Sequence, residues 1–487
     1  MKVYVSYPPI ENKKGVPLLS QNRQFQYFSE PTYIYPMVPT YAASLLKEAG
    51  YNVVWDDAIA EEKNYREWLL EVERAQPDVM MIETKTPVIK KHWSIIEDVK
   101  RVSSETHVAL VGDHVTALPE ESLENSRVDY VLTGGDYDFL LLNLVKYLDG
   151  KTERLEPGIF FKKDSDIQTT GRFALNHDLD SLPFIDRDLT NWQSYAYKNG
   201  NYKVTPGTYT MSARDCWWRK NGGCSFCAWT TLYPSFRARK PELLVDEIEM
   251  LVEKYKIREV FDDSGTFPVG EWLRKFCNLM IERKLNEKIY FGVNMRFGAL
   301  SLDEYKLMKK AGFRMLLFGL ESASQRILGE LNKGVTVEDI LDSCKKAKDA
   351  GLTVHITIMF GYPSASREEE LRTYQLAKKL MEGGHADTLQ STLLMPYPGS
   401  RLYEMALEKG WLRYSPGEWE HWDMSKPVLK SADISPEEVN QLCHETYKLF
   451  ISSKYILRRL LSIRSFGDLR FAFRGARKVI GHIRDFR

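Results

Sequence analysis

Asp215-Cys-Trp-Trp-Arg-Lys-Asn-Gly-Gly-Cys-Ser-Phe-Cys-Ala-Trp-Thr230 places Cys216, Cys224 and Cys227 within twelve residues of a chain that has six cysteines. Half of the thiols therefore sit in one short, glycine-containing loop. Thiolates gathered this tightly bind a soft metal centre or cross-link. Three is the informative number. A structural zinc site closes with four ligands, and the sequence offers no second Cys-x-x-Cys or His-x-His partner. A cubane iron–sulfur cluster held by three cysteines leaves one iron open to a substrate or cosubstrate. A zinc knuckle is the plainer alternative.

Around this loop the sequence alternates strands and helices. A strand over Thr208–Ala213 leads into it, and the helix Pro241–Tyr255 follows. Strands are then expected at Glu259–Asp262, Tyr290–Val293, Met315–Gly319, Val354–Phe360 and Thr388–Met395, with helices between them. Six βα units predict an open, partial (β/α)6 barrel of the TIM type over residues 205–400. Active sites of such barrels lie at the carboxyl ends of the strands. Polar groups recur there: the cysteine trio, Asp262-Asp263, Asn294 and Arg296, Glu321-Ser322 and Gly361. One such residue means little, but a ring of them defines a candidate site.

Residues 1–150 alternate in the same way, from a first strand at Val3–Tyr7 to a last helix near 137–148. That order predicts a doubly wound, Rossmann-like parallel sheet, so the fold class is α/β. Its strand ends carry Ser6-Tyr-Pro-Pro9, Thr84–Thr86, Gly112-Asp-His-Val115 and Thr133-Gly-Gly135. Gly134-Gly135 can admit the tail of a nucleotide or form a plain turn. His114 is a metal-ligand candidate or a locally bonded loop histidine. Residues 151–204 read as a proline-punctuated linker, with a small hairpin near Gly158–Arg172.

Lys plus Arg equals Asp plus Glu at 67 each, so overall charge points to no partner. The 43% hydrophobic content suffices for large cores. No apolar run reaches membrane-spanning length. The start reads as a strand, not a secretory signal. Cys277, Cys344 and Cys443 are scattered, which fits a reducing cytoplasm and no disulfide framework.

The cysteine loop, with Phe226 between its last two thiols, resembles the cluster motif of the radical S-adenosylmethionine (radical SAM) superfamily. Phe261-Asp-Asp-Ser-Gly-Thr-Phe267, Gly292-Val-Asn-Met-Arg296, Phe318-Gly-Leu-Glu-Ser322 with Lys333-Gly334, Met359-Phe-Gly-Tyr-Pro363 and Met395-Pro-Tyr-Pro-Gly-Ser-Arg401 are similar to its strand-end motifs. Pro39-Thr-Tyr-Ala-Ala-Ser-Leu-Leu-Lys-Glu-Ala-Gly-Tyr51 and Gly112-Asp-His-Val-Thr-Ala-Leu-Pro119 resemble the cobalamin-binding domain often fused to such enzymes. Two departures stand out. Seven residues separate Cys216 from Cys224, where the family usually has three. No Asp-x-His-x-x-Gly signature follows the first strand.

The resemblance implies a [4Fe–4S] cluster on Cys216, Cys224 and Cys227, whose open iron chelates SAM. It implies Phe226 near the adenine, Asp263 on the SAM ammonium, and Asn294 and Arg296 on its carboxylate or on substrate. Glu321 and Ser322 would face the ribose, and Gly361 would pass close to the adenine. No residue is assigned to catalysis itself. The expected activity is reductive cleavage of SAM driving cobalamin-dependent methyl transfer to an unactivated carbon or phosphorus. Cyclisation or rearrangement without cobalamin is the second reading, and a zinc-stabilised scaffold the third. A flavodoxin or ferredoxin would supply the electron.

Residues 401–487 are expected to form C-terminal helices, including Leu402–Lys409 and Pro436–Ser452. From Ile451 to Arg487 the chain has ten Lys/Arg and two Asp/Glu, interleaved with Leu, Ile and Phe. Such a segment can lie on an anionic membrane surface. It can equally pack on the barrel while its arginines reach out to water. With the crowded tryptophans it points to a small-molecule substrate of hydrophobic or lipid-like character. No nucleic-acid-binding fold is evident.

Overall fold

The computed structural model describes the chain except residues 20–24, 30, 165, 464–466, 468, 470 and 476–487. Two parallel sheets organise it. In the first, strands pair in the order Asn52–Asp57, Lys2–Tyr7, Val79–Glu83, His107–Val111 and Tyr130–Leu132, all parallel. Val79–Glu83 is buried along its whole length, as expected of a strand covered on both faces. The expected hairpin forms at Ile159–Lys163 and Asp166–Thr169. It is not free in a connector: its first strand pairs antiparallel with Tyr130–Leu132 and extends the sheet.

The second sheet has six parallel strands: Gly207–Thr210, Glu259–Asp262, Tyr290–Met295, Phe313–Glu321, Thr353–Phe360 and Thr388–Leu393. They pair in chain order, which gives a curled half-barrel. The helices between them begin where the sequence allows. Ser301, Thr336 and Ser366 each accept the N–H three residues on, while an acidic side chain reaches back to the cap. The first strand is shorter than expected. Asp262 accepts the Ser212 N–H at 2.7 Å and its hydroxyl at 2.8 Å. This takes residues 211 and 212 off the ladder, and Ala213–Arg214 pairs instead with Arg237–Ala238. Pro436–Tyr447 closes the opposite side. The Tyr447 hydroxyl donates to Ser391 O at 2.9 Å and accepts the Ser391 N–H at 3.2 Å.

The C-terminal helix stops earlier than expected, at Tyr447, and Lys448–Ile451 continues as a tighter turn. The helix Ser453–Leu461 follows, with Tyr455 buried against the barrel. Parts of the basic segment lie outside the described residues. No helix among the described residues is long and apolar enough to cross a membrane.

Buried ion pairs join the two sheets. Arg214 donates to Asp136 at 2.7 Å and to both carboxylate oxygens of Asp138, and all three side chains are nearly inaccessible. Arg239 bonds Glu247 at 2.8 Å and the Tyr41 hydroxyl at 2.9 Å. His177 stacks on Phe139 at 4.3 Å and bonds Asp136 at 3.0 Å and Glu156 at 2.8 Å. Burial alone would lower the His177 pKa, but the two carboxylates outweigh it and raise it to about 9. A raised folded-state pKa stabilises fully below the unfolded value near 6.5 and is lost as pH rises through about 9. His177→Gln is therefore expected to flatten stability between those pH values, removing ~2 kcal/mol at the acid side. Urea midpoints across that range check this.

Candidate active site

The carboxyl ends of the barrel strands open into a cavity of about 1290 Å³. Cys216, Cys224 and Cys227 line it, together with Phe226, Asp263, Asn294, Arg296 and Glu321. The long interval between the first two cysteines is filled by an ordered turn at Trp217–Asn221. Asp215, with φ of +78°, takes a fork from Arg219 at 2.5 and 2.8 Å. Asn332 bonds the carbonyls of Asn221 and Gly223 at 2.8 and 2.7 Å, and the Trp218 indole donates to Asn332 O at 2.8 Å. The insertion is thus stapled to the turn after Gln325–Glu330.

Glycines allow these parts to meet. A Cβ on Gly265 would lie 2.6 Å from the Asp215 carbonyl carbon, and one on Gly334 would overlap the Trp218 ring. The Trp218 ring in turn carries the Arg296 guanidinium, 4.5 Å from its centroid. Arg296 also donates to Lys333 O and lies 3.7 Å from Cys224 Sγ. Cys216 Sγ is 2.9 Å from the Thr266 hydroxyl. Asn294 donates to Ser264 O at 2.9 Å, fixing the loop after the second strand.

Glu321, with φ of +62°, ends the fourth strand and pairs with Lys333 at 2.7 Å, both side chains 8% exposed. Gly319 lies beneath them, where a Cβ would press on both charged ends. Asp262 stays inside the sheet. Burial pushes its carboxyl up to about 6, against the hydrogen bonds from Ser264 and Ser212.

Ser322 and Gly361 do not line this cavity. Ser322 accepts the Ser324 N–H at 3.1 Å in a local turn. Gly361 donates to buried Glu370 at 2.9 Å, as Tyr362 does at 3.2 Å. Thr266 and Lys333, to which the sequence reading gave no role, line it as well, as does Trp218 of the crowded tryptophans. The pair Lys333-Gly334 was the signal for Lys333.

The N-terminal strand ends are filled by the chain itself. In a sheet of this order the ligand crevice lies between Lys2–Tyr7 and Val79–Glu83. There, buried Glu83 accepts from the hydroxyls of Tyr7 and, at 3.2 Å, Tyr137. Burial raises the Glu83 carboxyl above its ordinary value. Gly134 and Gly135 make room for Phe173 and Tyr233, whose rings any Cβ would strike. His114 bonds Glu121 at 2.9 Å and Thr86 at 3.1 Å and meets Trp419 edge-on at 5.3 Å, the locally bonded alternative.

Residues 215–377 match the radical SAM superfamily. Residues 215–377 therefore form a radical SAM domain, and a second parallel sheet precedes its half-barrel. The chain is 25% identical to an uncharacterized methyltransferase of Pyrococcus horikoshii, over 91% of this chain and 94% of that protein. It is 24% identical to the anaerobic magnesium-protoporphyrin IX monomethyl ester cyclase of Cereibacter sphaeroides, over 86% and 67%. Its fold is that of the radical SAM methyltransferase TsrM of Kitasatospora setae, solved with cobalamin and a [4Fe–4S] cluster. That match has a TM-score of 0.66 at 15% identity and covers 92% of this chain and 85% of that one. The cobalamin-dependent radical SAM enzyme OxsB gives 0.69 at 14%, covering 99% and 71%.

The superfamily implies a [4Fe–4S] cluster and SAM. The residues present suit them: three thiols line one cavity beside a guanidinium, and glycines allow close approach. Among the described residues no three His, Cys, Asp or Glu, the cysteine trio included, form a group close enough to hold a metal ion, so the three thiols share a cavity wall and not one ligand set. Cobalamin fits less well, because Tyr7 and Tyr137 fill its crevice with their hydroxyls on buried Glu83.

Glu321 and Lys333 neutralise one another in the cavity wall. Removing one partner leaves a buried charge, so Glu321→Ala should cost ~3–5 kcal/mol. Adding Lys333→Met should recover most of that loss. Urea unfolding of the single and double variants measures it.

Proposed function

We propose that the protein transfers a methyl group to an unactivated carbon or phosphorus of an apolar small molecule. Cys216, Cys224 and Cys227 hold the cluster in this reading, and the observation that carries it is their shared position on the wall of the barrel cavity. When bound, the cluster supplies the electron that cleaves SAM. The protein's own part is to orient and to exclude water. Arg296 and Lys333 present cationic groups to a carboxylate, and Glu321 presents an acceptor. Phe226 and Trp218 give flat apolar surface beside them. Asp263 and Asn294, at neighbouring strand ends, face the same space. The names of relatives as methyltransferases support the reaction class.

One observation favours a second reading. The closed N-terminal crevice suits a cyclisation or rearrangement run without cobalamin, and the name of the magnesium-protoporphyrin relative is a cyclase's. Cobalt content after purification with added cobalamin separates the two.

Anaerobic reconstitution of the full chain is expected to give roughly four iron and four sulfide per protein, with deoxyadenosine released from SAM on reduction. Cys216→Ala, Cys224→Ala and Cys227→Ala should each lose most of the iron and at least ~100-fold of SAM cleavage. Wild-type iron retention in all three would overturn the assignment.

A further inference from the structure

The cavity does not end near the cysteines. It is lined by Glu321 and also by Arg314, seven residues earlier on the same strand. At ~3.3 Å per residue that is a run of roughly 23 Å through the half-barrel. Thr353 and Thr388, the first residues of the last two strands, line it too. Between the ends the walls are mixed, with Met315, Leu317, Met359 and Leu389 beside His355, Thr357 and Gln390. At the far end stand Lys203, Arg459 and Arg474.

That end is closed by the helix Ser453–Leu461. Tyr455 anchors it, donating to Asp387 O at 2.8 Å, and Arg458 donates to Ala386 O at 2.9 Å. Ile456 and Leu460 line the cavity yet are 43% and 60% exposed, so the cavity wall and the outer surface meet on this helix. Leu457 and Leu461 are 60% and 74% exposed, and Phe473 beyond the helix is 77% exposed. The same helix carries Lys454, Arg458 and Arg459 and no acidic residue. Exposed apolar side chains interleaved with cations complement an anionic bilayer. A second protein surface would gain nothing from a cavity that opens directly under the contact.

We propose that the substrate is a membrane amphiphile, a hydrocarbon chain with an anionic headgroup, taken up from a bilayer on which the helix Ser453–Leu461 docks. The headgroup stays at Lys203, Arg459 and Arg474, and the chain extends toward the cysteine end. This rests on the reading of the cysteine end as the reacting end, and it deepens that reading by naming the substrate class.

The tests use cluster-free full-length protein, so their outcome is independent of radical chemistry. Co-sedimentation is measured with vesicles of equal parts phosphatidylglycerol and phosphatidylcholine, and with phosphatidylcholine alone. Binding to the anionic vesicles is expected, roughly tenfold weaker for Leu457→Glu/Leu461→Glu and for Lys454→Glu. The exposed control Leu407→Glu should bind as wild type does. The thermal melts of all variants should match. Equal binding to both vesicles, no binding, or binding that survives the helix substitutions would overturn the docking surface. For the chain, phosphatidylglycerol brominated at its acyl end should quench tryptophan emission, and Trp218→Phe should remove part of that quenching. Glycerol phosphate should not compete. Quenching unchanged in Trp218→Phe, or competition by glycerol phosphate alone, would overturn the extended-chain placement.

Discussion

The site depends on the ion pairs that Arg214 makes with Asp136 and Asp138. Arg214 lies two residues before Cys216, and the two aspartates sit where the last parallel strand of the N-terminal sheet passes into its helix. Charges this deeply buried are held only when fully matched, and loss of one partner costs far more than the pair gains. Burial would raise the Asp136 carboxyl, but Arg214, His177 and Arg237 hold it well below the carboxylate range. The start of the cysteine loop is therefore fixed to the other sheet as firmly as to its own. Gly135 acts on the far side of the loop, accepting the Tyr233 ring and donating its N–H to Leu232 O at 3.0 Å. The N-terminal sheet thus holds both ends of the loop, whatever else it binds.

That grip explains how a seven-residue interval between the first two cysteines is tolerated. A longer closed loop costs little in entropy, ~0.6 kcal/mol per doubling, but it must still present its thiols in one arrangement. The added residues form a turn whose polar groups are spent on Asp215, Asn332 and the Lys333 segment. Trp218 then covers Arg296 beside Cys224. Trp229 differs: it is buried and meets Tyr233 edge-on at 5.5 Å, so it serves the interface and not the cavity.

The alternation of strands and helices was legible because burial on both sheet faces demands near-continuous apolar runs such as Val79-Met-Met-Ile82. The cysteine trio was legible from spacing alone. Side-chain direction at the strand ends was not. Glu321 and Ser322 are adjacent, yet the first enters the cavity and the second closes a turn, because Glu321 takes a left-handed backbone conformation. Gly361 is similar: it takes φ of +91°, and its N–H goes to buried Glu370, nine residues on. The Gly134-Gly135 turn was recognisable, but the aromatic rings against it come from positions 173 and 233, which no local pattern connects.

The electrostatic state of the cavity wall limits what can bind there. Lys333 is matched to Glu321, and Arg296 is engaged by a carbonyl and two indole faces. A ligand of a single sign must leave one member of the Glu321–Lys333 pair uncompensated in a nearly water-free wall, which is strongly unfavourable. A ligand carrying one ammonium and one carboxylate at a fixed separation can exchange with that pair, each charge meeting its opposite with the net buried charge unchanged. An amino-acid zwitterion has that form, and the methionyl end of SAM is one. The pair therefore keeps this buried wall electrically neutral.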